Sequence, residues 1–245
     1  MMESTVFSIT LVESNRPPRP TSKTTYSQPV FTKQRNAETV IASNSVIIPS
    51  TYIDSFNKIV DVKVIGDSAF KEKFFIETVK LPNSIESIED NAFNYCFNLV
   101  DINFNDGLKR IGASSFERCI SLEKISIPDS VSEIKEHAFD SCISLKKVKL
   151  SKGIDTISAY TFSKCLSLKK ITIPDNLIHI GEYAFQSCSS LTTVTIKSTS
   201  ISFGSGVFER CTSLTTIYYY GSTQPSHESD YPTFNGCTET ITLYV

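Results

Sequence analysis

Phenylalanine recurs every 23 residues along most of this chain, at Phe70, Phe93, Phe116, Phe139, Phe162, Phe185 and Phe208. The same step carries Leu99, Leu122, Leu145, Leu168, Leu191 and Leu214, and the isoleucines Ile65, Ile88, Ile111, Ile134, Ile157 and Ile180, with Phe203 as their next member. A fixed period of this size means a stack of similar coils. One coil cannot bury its own apolar side, but neighbouring coils can bury each other's. After Tyr219 the step lengthens to 26, and Phe234 and Cys237 shift together, so a three-residue insertion accounts for both.

The cysteines obey the same lattice. Cys96, Cys119, Cys142, Cys165, Cys188 and Cys211 stand 23 apart, and Cys237 joins them across the insertion. Disulfide frameworks do not produce such even spacing. Parallel side chains in one file also point the same way, which is poor disulfide geometry. The expectation is therefore buried free thiols acting as compact apolar side chains.

One unit reads Cys119-x-x-Leu122-x-x-Ile125-x-Ile127-Pro128-x-x-Val131-x-x-Ile134-x-x-x-Ala138-Phe139-x-x-Cys142. Ile125 and Ile127 alternate with polar residues, as a half-buried strand requires. Pro82, Pro128 and Pro174 follow the strands, where a missing amide proton does least harm. Val131 and Ile134 return along the opposite wall. Ala138 and Phe139 are read as one helical turn, the small Ala allowing close approach.

These units resemble the BspA-type leucine-rich repeat, as in FERCISLEKISIPDSVSEIKEHAFDSC from Phe116 and FSKCLSLKKITIPDNLIHIGEYAFQSC from Phe162. The resemblance covers roughly Val46 to Val245. It implies a leucine-rich-repeat solenoid with a parallel β-sheet on one face and short strands and helical turns on the other. It further implies a non-catalytic adhesion or protein-interaction module, located at the cell surface or secreted, that binds a protein or glycan ligand of host cells, matrix or other microbes. No cofactor comes with it. The expected division is an arm over 1–45, irregular or disordered, and a repeat domain over 46–245 of about eight to nine turns. In the arm, Pro17, Pro18 and Pro20 among Ser, Thr and cations fit a disordered tail better than a polyproline ligand. Val6 to Leu11 is a candidate capping strand.

Composition narrows the function classes. Net charge is −2 with a pI of about 6.0, far from the basic excess that nucleic-acid or anionic-membrane binding calls for. No stretch reaches the roughly 18–20 apolar residues that span a bilayer, and Met1 to Val12 lacks the basic start of a secretory signal. A cytoplasmic repeat scaffold is therefore the alternative reading, and free cysteines favour it. His137, His179 and His227 occupy non-core positions and are expected to be solvated. Ser226, His227 and Asp230 share one polar loop, but a triad needs rigid, preorganised geometry, so no catalysis is expected there.

The candidate binding surface is the exposed sheet face. Its outward positions run Thr78 and Lys80, Asp101 and Asn103, Lys124 and Ser126, Lys147 and Lys149, Lys170 and Thr172, Thr193 and Thr195, Thr216 and Tyr218. Lys146, Lys147, Lys149, Lys152, Lys169 and Lys170 lie on two adjacent turns. Lys124, Lys147, Lys149, Lys170, Thr193 and Tyr218 are the candidate ligand-binding residues. The competing explanation is that lysine and threonine merely solubilise the sheet and blunt its pairing.

Overall fold

The structure is a computed structural model that describes residues 7–12, 30–42, 44–54, 57–222, 225–227, 233–237 and 242–244. Each regular coil contributes one strand to a front wall and a two-residue strand to a rear wall. The front strands are Ser45–Ile47, Thr78–Lys80, Asp101–Asn103, Lys124–Ser126, Lys147–Lys149, Lys170–Ile173, Thr193–Ile196, Thr216–Tyr219 and Thr242–Tyr244. Pairing between them is parallel, with Lys124 opposite Lys147 and Lys170 opposite Thr193, and the ladder is interrupted between Asp101–Asn103 and Lys124–Ser126 and between Lys147–Lys149 and Lys170–Ile173. The rear wall repeats the same logic, with Ile65, Ile88, Ile111 and Ile134 in register on four successive strands. No crossover helix is needed, because each coil brings the chain back to the same wall.

Between the walls runs one continuous apolar core. Ile125, Ile127, Val131, Ile134, Ala138, Phe139, Cys142 and Leu145 are all buried, so every position that the repeat assigns inward in that coil does point inward. The phenylalanines stack face to face from Phe70 to Phe234, with neighbouring ring centroids 5.1 to 5.7 Å apart. Their spacing follows the coil rise, so each ring covers the next.

The turn after the rear strand differs from expectation. It contains no helix, and none occurs among the described residues. The amides of Ala138, Asp140 and Cys142 do bond back three residues, to Lys135, His137 and Phe139. Those of His137, Phe139 and Ser141, however, donate to Ala159, Thr161 and Ser163 of the following coil. A helix would direct its amides back to carbonyls four residues earlier in its own coil. Here alternate amides form a third intercoil ladder, and the chain bends sharply enough to put His137 and Ser141 at φ 57° and 60°.

The same two left-handed positions recur in each coil. Asn91, Ser114, His137, Tyr160 and Tyr183 take the first, and Gly206 takes it at φ 57°. A bulky residue is costly there. Stacking of His137 on Tyr160 (4.7 Å) and of Tyr160 on Tyr183 (5.1 Å) offsets part of that cost. A Cβ at Gly206 would lie 2.5 Å from the Tyr183 ring, so glycine leaves the last ring its room. His137 is consequently half-buried, not solvated, and its Nδ1 lies 3.1 Å from the buried Asp140 carboxylate.

At the N-terminal end, Val30–Ala42 pairs antiparallel with Ser45–Ile47 and parallel with Val64–Ile65. Phe7–Val12 pairs antiparallel with Val30–Ala42, close to the candidate capping segment. Segment 30–42 is therefore strand, where an irregular arm was expected. The arm's proline run lies outside the described residues. The surplus residues of the first coil fold into a small antiparallel pair, Thr51–Ile53 with Ile59–Asp61. At the other end Ser226–His227 forms a rear strand beside Ser202–Phe203, while Asp230 lies outside the described residues.

The thiols do more than fill space. Cys96, Cys119, Cys142, Cys165, Cys188, Cys211 and Cys237 each donate to the carbonyl of the ladder phenylalanine one coil earlier, over 2.9 to 3.5 Å. That oxygen already accepts the amide of the cysteine in its own coil, as Phe116 does from Cys119 at 3.1 Å. A carbonyl has two lone pairs, and a small side chain with a weak donor suits the second. All seven cysteines are free. Burial pushes the Cys96 thiol up to about 12 and Cys237 up to about 11, and it raises Cys119, Cys142, Cys165 and Cys188 as well. Thiols held neutral in this way are unreactive. An aqueous thiol reagent applied to the native protein should label the half-buried Cys237 first. The other six should react only after denaturation, and mass spectrometry finding Cys142 or Cys165 labelled early would contradict the ladder.

Candidate functional site

Alternation on the front strands decides which side chains reach solvent. Ile125, Ile171, Val194 and Ile217 point into the core, and their neighbours on either side point out. Two outward rows result. Register places Lys124 against Lys147, and Lys170 against Thr193 and then Thr216, while Lys147 and Lys170 hold equivalent places on consecutive strands 23 residues apart. The second row carries Ser126 against Lys149, then Thr172, Thr195 and Tyr218.

Of the six candidate residues, Lys124, Lys147, Lys170 and Thr193 thus form one row across four adjacent coils, with Lys149 beside Lys147 on its own strand. Tyr218 does not join them. Three coils separate it from Lys149, a distance on the order of 14 Å. Tyr218 is exposed while Tyr219 is buried, as the alternation requires.

Charge compensation distinguishes this wall from the rear one. On the rear side Lys63 and Lys109 both hold Glu86, at 2.8 and 3.0 Å, and their hydrogen bonds pull that carboxyl below its ordinary value. Arg110 there gathers Glu89, Asp90 at 3.4 Å and Glu133 at 3.0 Å. On the front wall Lys124 reaches Asp101 at 3.7 Å, and Lys146 pairs with Glu123 at 2.7 Å. Among the described residues Lys147, Lys149 and Lys170 form no ion pair. Lys124, Lys147 and Lys170 are like charges on successive strands, an arrangement that costs stability. They make a local positive field on a slightly acidic chain.

Two features of the surface escaped sequence reasoning. One is a polar row under the turns: Asn94 donates to Glu117 at 3.1 Å, Ser141 to Asp140 at 2.9 Å, and Gln186 to Glu209 at 2.8 Å. The other is an apolar column directly after the cysteines, Phe97, Ile120, Ile143 and Leu166, part of which is exposed. Aligning the repeats column by column would have exposed the second. The first needs the turn geometry. Among the described residues no cluster of three His, Cys, Asp or Glu side chains converges on a point, and no helix is long and apolar enough to cross a membrane.

Comparison with known proteins agrees with this architecture. The family model for the BspA type leucine rich repeat region matches in six copies, over residues 63–176 and 109–241. A leucine-rich cell surface protein from Faecalibacterium prausnitzii is similar over 91% of this chain, at 28% identity and a TM-score of 0.72. The chain spans 57% of that protein. A T. pallidum leucine-rich-repeat protein is similar in fold at 22% identity, over 86% of this chain and 84% of that one, with a TM-score of 0.57. The pneumococcal vaccine antigen PcpA is similar in fold at 15% identity, over 97% of this chain and 71% of that one, with a TM-score of 0.60. The chain has no match among curated protein sequences. The family model matches most of the sequence, and the chain belongs to the BspA-type leucine-rich-repeat family.

Proposed function

We propose that this chain is a non-catalytic binding module for surface ligands, and that the front wall carries the contact through Lys147, Lys149 and Lys170, with help from Lys124, Thr193 and Tyr218. One observation carries this reading: Lys63, Lys109 and Arg110 on the rear wall are neutralised by carboxylates, and among the described residues Lys147, Lys149 and Lys170 are not. Leaving like charges side by side costs stability, and an acidic protein or sulfated glycan docked on them offsets that cost. Solenoids commonly bind on an extended sheet face. The F. prausnitzii relative, described as a cell surface protein, supports a location at a cell surface. An intracellular scaffold is the second reading, favoured by seven unpaired cysteines, since exported proteins tend to oxidise theirs.

Two measurements test the proposal. Proteolysis of intact source cells should remove the protein if it is displayed outside, and spare it if it is an internal scaffold. Binding to immobilised acidic protein or heparin should weaken steeply between about 50 mM and about 500 mM salt, as screening shortens the reach of the lysine field. Binding that ignores salt would rule out the lysine face.

A further inference from the structure

We propose that the apolar column beside the lysines is the second half of the same contact, and that the partner is an acidic protein segment with apolar side chains, not a sulfated glycan. This inference rests on the front-wall reading above and narrows it to one class of ligand. Phe74, Phe97, Ile120, Ile143 and Leu166 occupy the column after the cysteine position on five successive coils. Phe74, Ile143 and Leu166 are 48%, 37% and 40% exposed. Phe74 and Phe97 stack at 5.1 Å, and Phe97 and Ile120 are half-buried between the more exposed members.

The fold does not require apolar residues in this column. Ser189 and Thr212 stand there in the next two coils, without loss of the ladders. The stripe therefore ends where the lysines end. Each of its later members precedes a front-wall lysine by four residues, Ile120 before Lys124, Ile143 before Lys147 and Leu166 before Lys170. Over its last three coils the column runs alongside the lysines, separated from them by the turn into the strand.

Charge and polarity together select the occupant. A sulfated glycan would satisfy Lys147 and Lys170 but would set anionic groups against phenylalanine and leucine. An acidic segment with interspersed apolar side chains satisfies both rows. Five coils at about 4.8 Å each give a stripe about 20 Å long, which matches about six residues of extended chain. Contiguous apolar surface of this kind on a soluble solenoid marks a contact site.

The test uses the whole chain and two short fluorescent peptides of equal charge, one alternating glutamate with leucine and the other glutamate with serine. Fluorescence anisotropy should show the leucine peptide binding about tenfold more tightly. Ile143→Ser with Leu166→Ser, which copies the polar residues of the later coils, should retain the melting temperature and lose that preference. Reversing Lys147, Lys149 and Lys170 to glutamate should weaken both peptides. If the leucine preference survives the double serine substitution, or is absent from the wild type, the stripe is not part of the contact. The front-wall reading would then stand or fall on the lysine reversal alone. A heparin fragment binding more tightly than the leucine peptide would overturn the choice of protein over glycan. Sedimentation that shows a wild-type dimer and a monomeric double serine variant would instead assign the stripe to a second copy of this chain, and would overturn the proposal.

Discussion

Raising the pH above 9 should destabilise this protein progressively. The six regular cysteines are completely buried. Burial holds the Cys96 thiol up to about 12, from an ordinary value of 9.0. The other buried thiols are raised too, Cys211 chiefly by its contact with Cys188 and then by burial. A thiol whose value is higher in the folded chain contributes its full stability below pH 9. That contribution is lost as pH climbs towards the folded value, because the unfolded chain releases the proton first. Each buried thiol therefore gives up stability as the pH rises past its ordinary value, and the losses of the six act in the same direction. Circular dichroism through an alkaline titration reads the transition directly. Cys142→Ser keeps a donor for the Phe116 carbonyl and removes one titrating group, so it should make stability fall less steeply with pH. A native spectrum and an unchanged melting temperature at pH 11 would mean that the thiols are not sealed in the core.

Phe139→Ala should cost about 3–5 kcal/mol. Its ring is buried between Phe116 at 5.3 Å and Phe162 at 5.5 Å, and both neighbours are themselves held by further rings. The cavity cannot close without shifting three coils at once. Phe234→Ala should cost less, because that ring is only partly buried and lies at the end of the stack, against Phe208. Lys147→Ala, on an exposed strand position, should stay within about 0.5 kcal/mol of wild type. Chemical denaturation of the three variants provides the comparison. Equal losses at Phe139 and Lys147 would mean that the inner and outer faces are exchanged.

The inward and outward assignment was legible in the sequence because period 23 and strand alternation leave little freedom. Once Ile125 and Ile127 face inward, Lys124 and Ser126 must face out, and every later coil repeats the choice. What the period could not show is where the backbone hydrogen bonds go. Ala138-Phe139 reads equally well as a helical turn or as the observed bend, because both bury the same side chains. Only the destination of the His137, Phe139 and Ser141 amides separates them. The cysteines were placed correctly as buried thiols, but their bond to the preceding phenylalanine carbonyl depends on coil-to-coil distance and leaves no mark in the spacing. The lysine face was visible as a run of outward cations. Its lack of neutralising carboxylates emerged only when the rear-wall pairs Lys63–Glu86 and Arg110–Glu133 could be set beside it.

That imbalance is the centre of the functional account, and one measurement addresses it most directly. Lys147, Lys149 and Lys170 are reversed together to glutamate, and binding to an acidic protein surface is measured beside a control reversed at the rear-wall Lys63 and Lys109. The triple variant should lose binding while melting within a few degrees of wild type, because these side chains point away from the core. The control should keep binding and lose stability, since each of its lysines holds Glu86. A triple variant that binds like wild type would show the front lysines to be only a solvated face, and would contradict the account.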